Sequence, residues 1–345
     1  MKRIGQLFGS LLVVLVLLGA VTTWWVMRPL TLTNPTVDIS IEPQTTVRGI
    51  AQVVADSGVS VEPVFLYGFF RISGQSRKLR AGSYEISKGE SVLDLLRKLS
   101  RGEESLKAVG LIDGWTFKQF RAALAKAPNL NHDSQGLSDA ELMARLGKPG
   151  VAPEGRFFPD TYTYGKGASE LRVMQRALNA MDKQLAAAWA QRNTSIILKT
   201  PDEALILASI IEKETGKESD RGMISSVFHN RLQINMPLQT DPTVIYGMGD
   251  TFDGNLRRAD LKSDHAWNTY TRKGLPPTPI AMPGRNALRA TLHPNTSNAL
   301  YFVARGDGSS AFSDTLEAHT AAVNRYLRGG ASLPSNGAQA KEVFY

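Results

Sequence analysis

The chain opens on its longest apolar run. From residue 4 to residue 27 no side chain is charged, and residues 11–18 are almost entirely Leu and Val. Lys2 and Arg3 precede the run and Arg28 closes it. A helix needs roughly 20 apolar residues to cross a bilayer core, so the pattern predicts one transmembrane helix over 7–27. Trp24 and Trp25 fall where aromatic rings favour the headgroup zone. The same bulky rings, with Met27, stand where a cleaved signal peptide would carry small residues. Basic residues in 1–6 predict a cytoplasmic N-terminus, a single pass through the inner membrane, and a periplasmic remainder.

After a short linker (28–36), the pattern changes period. Val37, Ile39 and Ile41 alternate with polar residues, as in a half-buried strand. Thr46 can cap a helix carrying Ile50, Val53 and Val54, which stops near Gly58. A second apolar helix holds Val64, Phe65, Tyr67, Phe69 and Phe70; a strand follows with Tyr84 and Ile86, then a helix from Ser91 with Val92, Leu95, Leu96 and Leu99. Strand, helix, helix, strand over 37–104 predicts a small α+β module. Further on come a strand-like stretch (106–112), a turn at Gly114, a helix over 116–125 and an irregular stretch with one short helix near 140–146. A dense aromatic turn (154–162) precedes a long helix over 169–192, whose Leu171, Met174, Leu178 and Met181 form a core stripe. Beyond Tyr326 the chain turns Gly-, Ser- and Asn-rich and reads as a flexible tail, 329–345.

The segment from Thr200 to Gly216 carries the chemistry. Thr200 with Glu203 fits a capping box, Pro201 suits the first helical position, and Gly216 can close the end. Residues 204–211 are nearly all apolar, so this helix is expected deep in the core, with Glu212 and Glu214 at its end. Glu214 lies three, four and seven residues beyond Ile211, Ile210 and Leu207 and continues the bulkiest stripe. Desolvation there raises a carboxyl pKa and suits a general acid; a solvated helix end is the equal alternative on spacing alone. Downstream, Gln239, Thr240, Asp241 and Tyr246 supply donors, acceptors and an aromatic face fit for a sugar, although a turn explains the same residues.

Composition narrows the rest. The 345 residues are 42% hydrophobic and 21% charged, with a formal charge of +8. The basic residues are scattered, which argues against a nucleic-acid partner. Cysteine is absent, removing disulfides, thiolate metal sites and thiol nucleophiles together. The five histidines form no metal-type spacing, and neither a nucleotide-binding loop nor a serine elbow occurs, so no metal or cofactor is expected.

Residues 208–215 (Ala-Ser-Ile-Ile-Glu-Lys-Glu-Thr), Asn230-Arg231-Leu232, 238–247 (Leu-Gln-Thr-Asp-Pro-Thr-Val-Ile-Tyr-Gly), Asn268-Thr269-Tyr270, Gly274-Leu275-Pro276-Pro277 and His293-Pro294 resemble the endolytic murein transglycosylase family, MltG or YceG-like. The likeness runs from the anchor to about Tyr326. It implies an α+β chain with one N-terminal transmembrane helix, a LysM-like module (37–104) and a larger mixed α/β catalytic domain (105–328). It implies a peptidoglycan lytic transglycosylase that cuts the MurNAc–GlcNAc β-1,4 bond of nascent strands, leaves 1,6-anhydromuramyl ends and so limits strand length. By the same likeness Glu214, the glutamate before Thr, is catalytic, and Asn230, Arg231, Gln239, Asp241, Tyr246, Asn268 and Tyr270 bind substrate. The implied partners are glycan strands, the inner membrane and peptidoglycan synthases of the elongation machinery. Two departures, Ser310-Ala311 before Phe312 and Thr320 after His319, fall in the C-terminal region. A hydrolytic muramidase pairing Glu214 with Asp241, and an inactive peptidoglycan-binding scaffold, are the alternatives.

Overall fold

The structure is a computed structural model that describes residues 2–328, with side chains described for 12–327. Two compact units are present: residues 1–108 with 128–131 and 163–168, and residues 109–127 with 132–162 and 169 onward. The expected tail, 329–345, lies outside the described residues, as do the side chains of Lys2 and Arg3.

The smaller unit begins with α1 (Lys2–Met27), one continuous helix. Among the described residues no helix is long and apolar enough to cross a membrane. The described side chains of α1 start at Leu12, which leaves fewer than the roughly 20 residues a span requires. After β1 (Thr31–Leu32), β2 (Thr36–Ile41) leads to α2 (Val47–Asp56), β3 (Val59–Ser60), α3 (Pro63–Ile72), β4 (Gly82–Ser87) and α4 (Val92–Arg101). β2 and β4 pair antiparallel with Ile39 opposite Tyr84 and Val37 opposite Ile86, so the alternating apolar residues share one face. That face buries against Ile50 and Val54 of α2, Leu66 and Phe70 of α3, and Leu95, Leu96 and Leu99 of α4. Thr46 caps α2 by accepting from the Gly49 amide, and Ser91 with Asp94 forms a capping box on α4. The apolar α3 departs from expectation on one side: Val64 and Phe65 point to solvent.

The unit boundaries fall within β5 (Lys107–Gly110) and β6 (Thr161–Tyr164); the larger unit contains α5 (Phe117–Ala125), α6 (Asp139–Arg145), α7 (Glu170–Ala190), α8 (Pro201–Glu214), α9 (Glu218–Gln233), α10 (Asp241–Met248), α11 (Arg258–Lys262), α12 (Arg285–Leu292), the β7 (Tyr301–Ala304) and β8 (Ser310–Ser313) hairpin, and α13 (Leu316–Val323). α8 is its axis. Ala204, Leu205, Leu207, Ala208, Ile210 and Ile211 are all buried, packed by Met181 and Leu185 of α7, Ile224 and Phe228 of α9, and Ala287, Leu288 and Leu292 of α12. Its start is the expected capping box, with the Glu203 amide donating to Thr200 Oγ1 at 3.1 Å. Its end differs from the sequence reading. Thr215, not Gly216, stops the helix by turning extended, so Glu214 is the last helical residue. Residues 241–248, read as a turn, form a helix with Pro242 in its first turn.

One buried polar residue on α8 joins it to a distant loop. Ser209 Oγ donates to the Ile206 carbonyl (2.7 Å) and accepts from the Ile280 amide (2.9 Å). Ser209→Ala would leave that buried amide unpaired, at a cost of about 1–3 kcal/mol, or several degrees of melting temperature. Calorimetry of the variant checks this; an unchanged melting temperature would show that the bond contributes nothing.

Candidate active site

Where α8 ends, its two carboxylates leave in different directions, since residues two apart on a helix face away from each other. Glu212 accepts from the Gly284 amide (2.9 Å) at the start of α12 and pairs with Arg221 of α9 (3.4 Å). Burial raises its pKa, against the pull of the Gly284 amide and the Arg221 charge. Of the two carboxyls at the end of α8, Glu212 is the one locked into structural contacts.

Glu214 is half-buried and accepts a hydrogen bond from Thr240 Oγ1. Thr240 precedes α10 and is itself fixed. Its amide donates to Thr269 Oγ1 (3.1 Å), and its carbonyl accepts from Thr243 Oγ1 (2.7 Å), which also contacts Thr269 Oγ1 (2.8 Å). All three threonines are buried. Arg231 and Tyr270 lie within electrostatic reach of Glu214. The Tyr270 hydroxyl donates to Asp241 Oδ1 at 2.6 Å, and burial raises its pKa. Gln239, in a left-handed conformation (φ 48°), donates its amide to the Thr269 carbonyl at 3.1 Å. The structure thus brings Glu214, Arg231, Gln239, Asp241 and Tyr270 into one cluster, around threonines to which the sequence reading gave no role.

Three expected substrate-binding residues are committed elsewhere. Asn268 is 0% exposed; its amide donates to the Asp260, Leu261 and Ser263 carbonyls, and its oxygen accepts from the Tyr270 amide. It shapes the loop that presents Tyr270 and has no face left for a ligand. Asn230 donates to the Ser297 and Ala299 carbonyls (2.9 and 3.0 Å), anchoring the strand before β7. Arg231 is buried over the Tyr301 ring and donates to the carbonyls of Leu300 (2.6 Å) and Leu238 (2.8 Å). Its charge reaches Glu214, but its hydrogen bonds tie β7 to the segment before α10.

A groove of about 1150 Å³ is lined among others by Lys213 and Pro242, the chain neighbours of Glu214 and Asp241, and by Tyr246, Trp267 and Glu154. Tyr246 and Trp267 meet edge to face at 5.5 Å, and Trp267 is pinned by donating to Thr278 Oγ1 at 3.0 Å. Such a wall suits the flat, C–H-bearing side of a sugar ring. Glu154 lies between this wall and the start of α5. Its two oxygens accept from the Phe117 amide (3.0 and 3.2 Å), and the Tyr246 hydroxyl donates to Oε2 at 3.2 Å. Phe117 stacks with Phe120 and Phe157, and Glu154 is 6% exposed. Burial pushes its pKa up to about 7, the Phe117 amide and Tyr246 hydroxyl only partly opposing this. The sequence reading passed over Glu154; the available signal was a lone carboxyl opening an aromatic turn. Among the described residues no cluster of three or more His, Asp or Glu could hold a metal.

This is an α+β protein with one carboxyl held at a buried helix end and another kept near neutral charge in an aromatic-walled groove. The chain belongs to the YceG-like family, whose model matches residues 39–325. It is 31% identical over 314 residues to the endolytic murein transglycosylase of Bacillus subtilis (strain 168), a match covering 85% of each chain. It is 28% identical to the endolytic murein transglycosylase of Streptococcus pneumoniae serotype 2 (strain D39), over 78% of this chain and 54% of that one. The 2.6 Å crystal structure of a yceG-like protein from Listeria monocytogenes matches with a TM-score of 0.54 at 28% identity, covering 83% of this chain and 99% of that one.

Glu154 gives stability a definite pH dependence. Its folded pKa of about 7 exceeds its ordinary 4.5, so the folded protein binds the proton more tightly than the unfolded chain does. The contribution is full below about pH 4.5 and is lost as pH rises through 7, amounting to on the order of 3 kcal/mol. Glu154→Gln keeps the shape and removes the titration. Its melting temperature, measured from pH 4.5 to 8 beside the wild type, should gain on the wild type as pH rises; parallel curves would contradict the assignment.

Proposed function

We propose that the chain is a peptidoglycan lytic transglycosylase in which Glu214 transfers the proton. The observation that carries this is the Thr240–Glu214 hydrogen bond, in a cluster built from the residues by which the sequence resembles its family. Thr240 fixes one carboxyl oxygen of Glu214 where the helix ends. Glu214 protonates the glycosidic oxygen between N-acetylmuramic acid and N-acetylglucosamine as the bond to C1 breaks. The carboxylate then takes the proton of the muramyl 6-hydroxyl, whose oxygen closes on C1. The products are a free 4-hydroxyl on the leaving sugar and a 1,6-anhydro end. No water enters, so one carboxyl serves both steps. Preorganised dipoles, the Tyr270 hydroxyl among them, are suited to steady charge developing near C1.

Cutting nascent strands this way would limit their length. The apolar residues of α1 support a single-pass inner-membrane location with a cytoplasmic N-terminus, beside the elongation synthases. The strand, helix, helix, strand order of the smaller unit supports its reading as a LysM-like, glycan-contacting module.

Glu214→Gln should lower turnover of uncrosslinked peptidoglycan by about a thousandfold or more, with the melting temperature unchanged. Mass spectrometry of wild-type products should show ends lighter by one water than hydrolytic ends. Hydrated ends would identify a muramidase instead. Full growth complementation by the Gln variant would point to a scaffold.

A further inference from the structure

Helix α3 buries one side and leaves the other bare. Leu66 and Phe70 point into the core of the smaller unit, whereas Val64, Phe65 and Ile72 are 70%, 65% and 88% exposed. At helical spacing residues 64, 65, 68 and 72 share one side, and Gly68 adds no bulk between them. Three large apolar side chains on one short helix are too many for an incidental surface.

The same face is continuous with α1. Phe69, at its edge, packs edge-on against Trp25 at 6.2 Å, and Phe65 and Trp25 line one shallow depression with Arg28. On α1 itself Leu12, Leu15, Leu17, Leu18, Val21 and Trp24 are exposed. Exposed positive charge follows the patch along the chain. Arg71 lies on α3, Arg77 and Lys78 in the short turn after it, all exposed, and the Arg28 guanidinium covers the Trp24 ring at 5.2 Å. Glu62, at the head of α3, is the acidic group on that helix.

We propose that α3 is an interfacial helix that docks the smaller unit onto an anionic phospholipid surface, with Val64, Phe65 and Ile72 inserted among the acyl chains and Arg71, Arg77 and Lys78 at the phosphates. Apolar insertion with cationic groups nearby is how a helix lies in a bilayer interface rather than across it. The inference rests on reading α1 as a bilayer anchor, because contact with Trp25 brings α3 to the level where that anchor would leave the membrane. Docking would hold the smaller unit against the surface.

The absence of cysteine makes the test direct. The full chain carrying Ile72→Cys, Leu15→Cys or Ile234→Cys, each labelled with an environment-sensitive fluorophore, is reconstituted into vesicles of phosphatidylethanolamine and phosphatidylglycerol. Ile234 is an exposed residue of the other unit. The label at 72 should shift to the blue and lose emission to lipids carrying a shallow quencher, while the label at 234 does neither. Replacing phosphatidylglycerol by phosphatidylcholine should weaken the loss at 72. An unquenched label at 72, with the label at 15 quenched by deep-labelled lipid, overturns the docking and leaves the anchor standing. An unquenched label at 15 overturns the anchor alone, and the label at 72 still decides the docking. Equal quenching at 72 and 234 is non-specific adsorption and also overturns it.

Discussion

A helix that is apolar on every side has to be enclosed on every side, and α8 sets the larger unit on that condition. α7, α9 and α12 cover it along its length, and α10 closes over its C-terminal end. Apart from the hydrogen-bonded Ser209, polar groups become tolerable only where the enclosure stops. That is where Glu212 and Glu214 emerge, and the extended Thr215 makes the stop abrupt. Glu212 spends its charge on Arg221 and the Gly284 amide, tying α8 to α9 and α12, whereas Glu214 meets the threonine that opens α10. A single packing constraint thus assigns one carboxylate to structure and brings the other to the edge of the core.

Around Glu214 the interior is unusually polar and well satisfied. Thr240, Thr243 and Thr269 bond to one another, Asn268 fills its amide with backbone carbonyls, and Arg231 donates to Leu300 and Leu238. A buried polar network whose members are all paired is rigid, because any shift leaves a desolvated group unpaired. Rigidity of this kind fixes the position of the Glu214 carboxyl. Asn230, Arg231 and Asn268 belong to this supporting frame. They look like ligand-binding residues in the sequence because polar side chains that hold a site and those that touch a substrate are of the same kinds.

The sequence was most legible where one periodicity dominated. The strand alternation of Val37, Ile39 and Ile41, the caps at Thr46, Ser91 and Thr200, and the apolar body of α8 all follow from local rules. Helix α9 escapes them, since it buries Asp220, Ser225, Ser226, His229 and Arg231 beside its apolar residues and shows no clean stripe. α10 hid behind Asp241-Pro242, which reads equally as a turn or as a helix start. Helix spacing put Glu214 at the end of a buried helix, but only the tertiary fold brings Thr240 to it from 26 residues away. Glu154 was invisible for the same reason, because the Phe117 amide that holds it is 37 residues distant.

The placement of the remaining carboxyls bears on the chemistry. Hydrolysis of a glycoside ordinarily needs a second carboxylate, either to activate water or to attack C1. Two are near enough to consider. Asp241 opens α10, and its Oδ1 accepts the Tyr270 hydroxyl at 2.6 Å. Glu154 faces the groove wall, yet both its oxygens meet the Phe117 amide and one also takes the Tyr246 hydroxyl, while burial keeps it largely protonated below pH 7. Each is occupied in holding protein groups. A reaction that recycles one carboxyl through both proton transfers, with the substrate's own hydroxyl as nucleophile, asks for nothing this arrangement lacks.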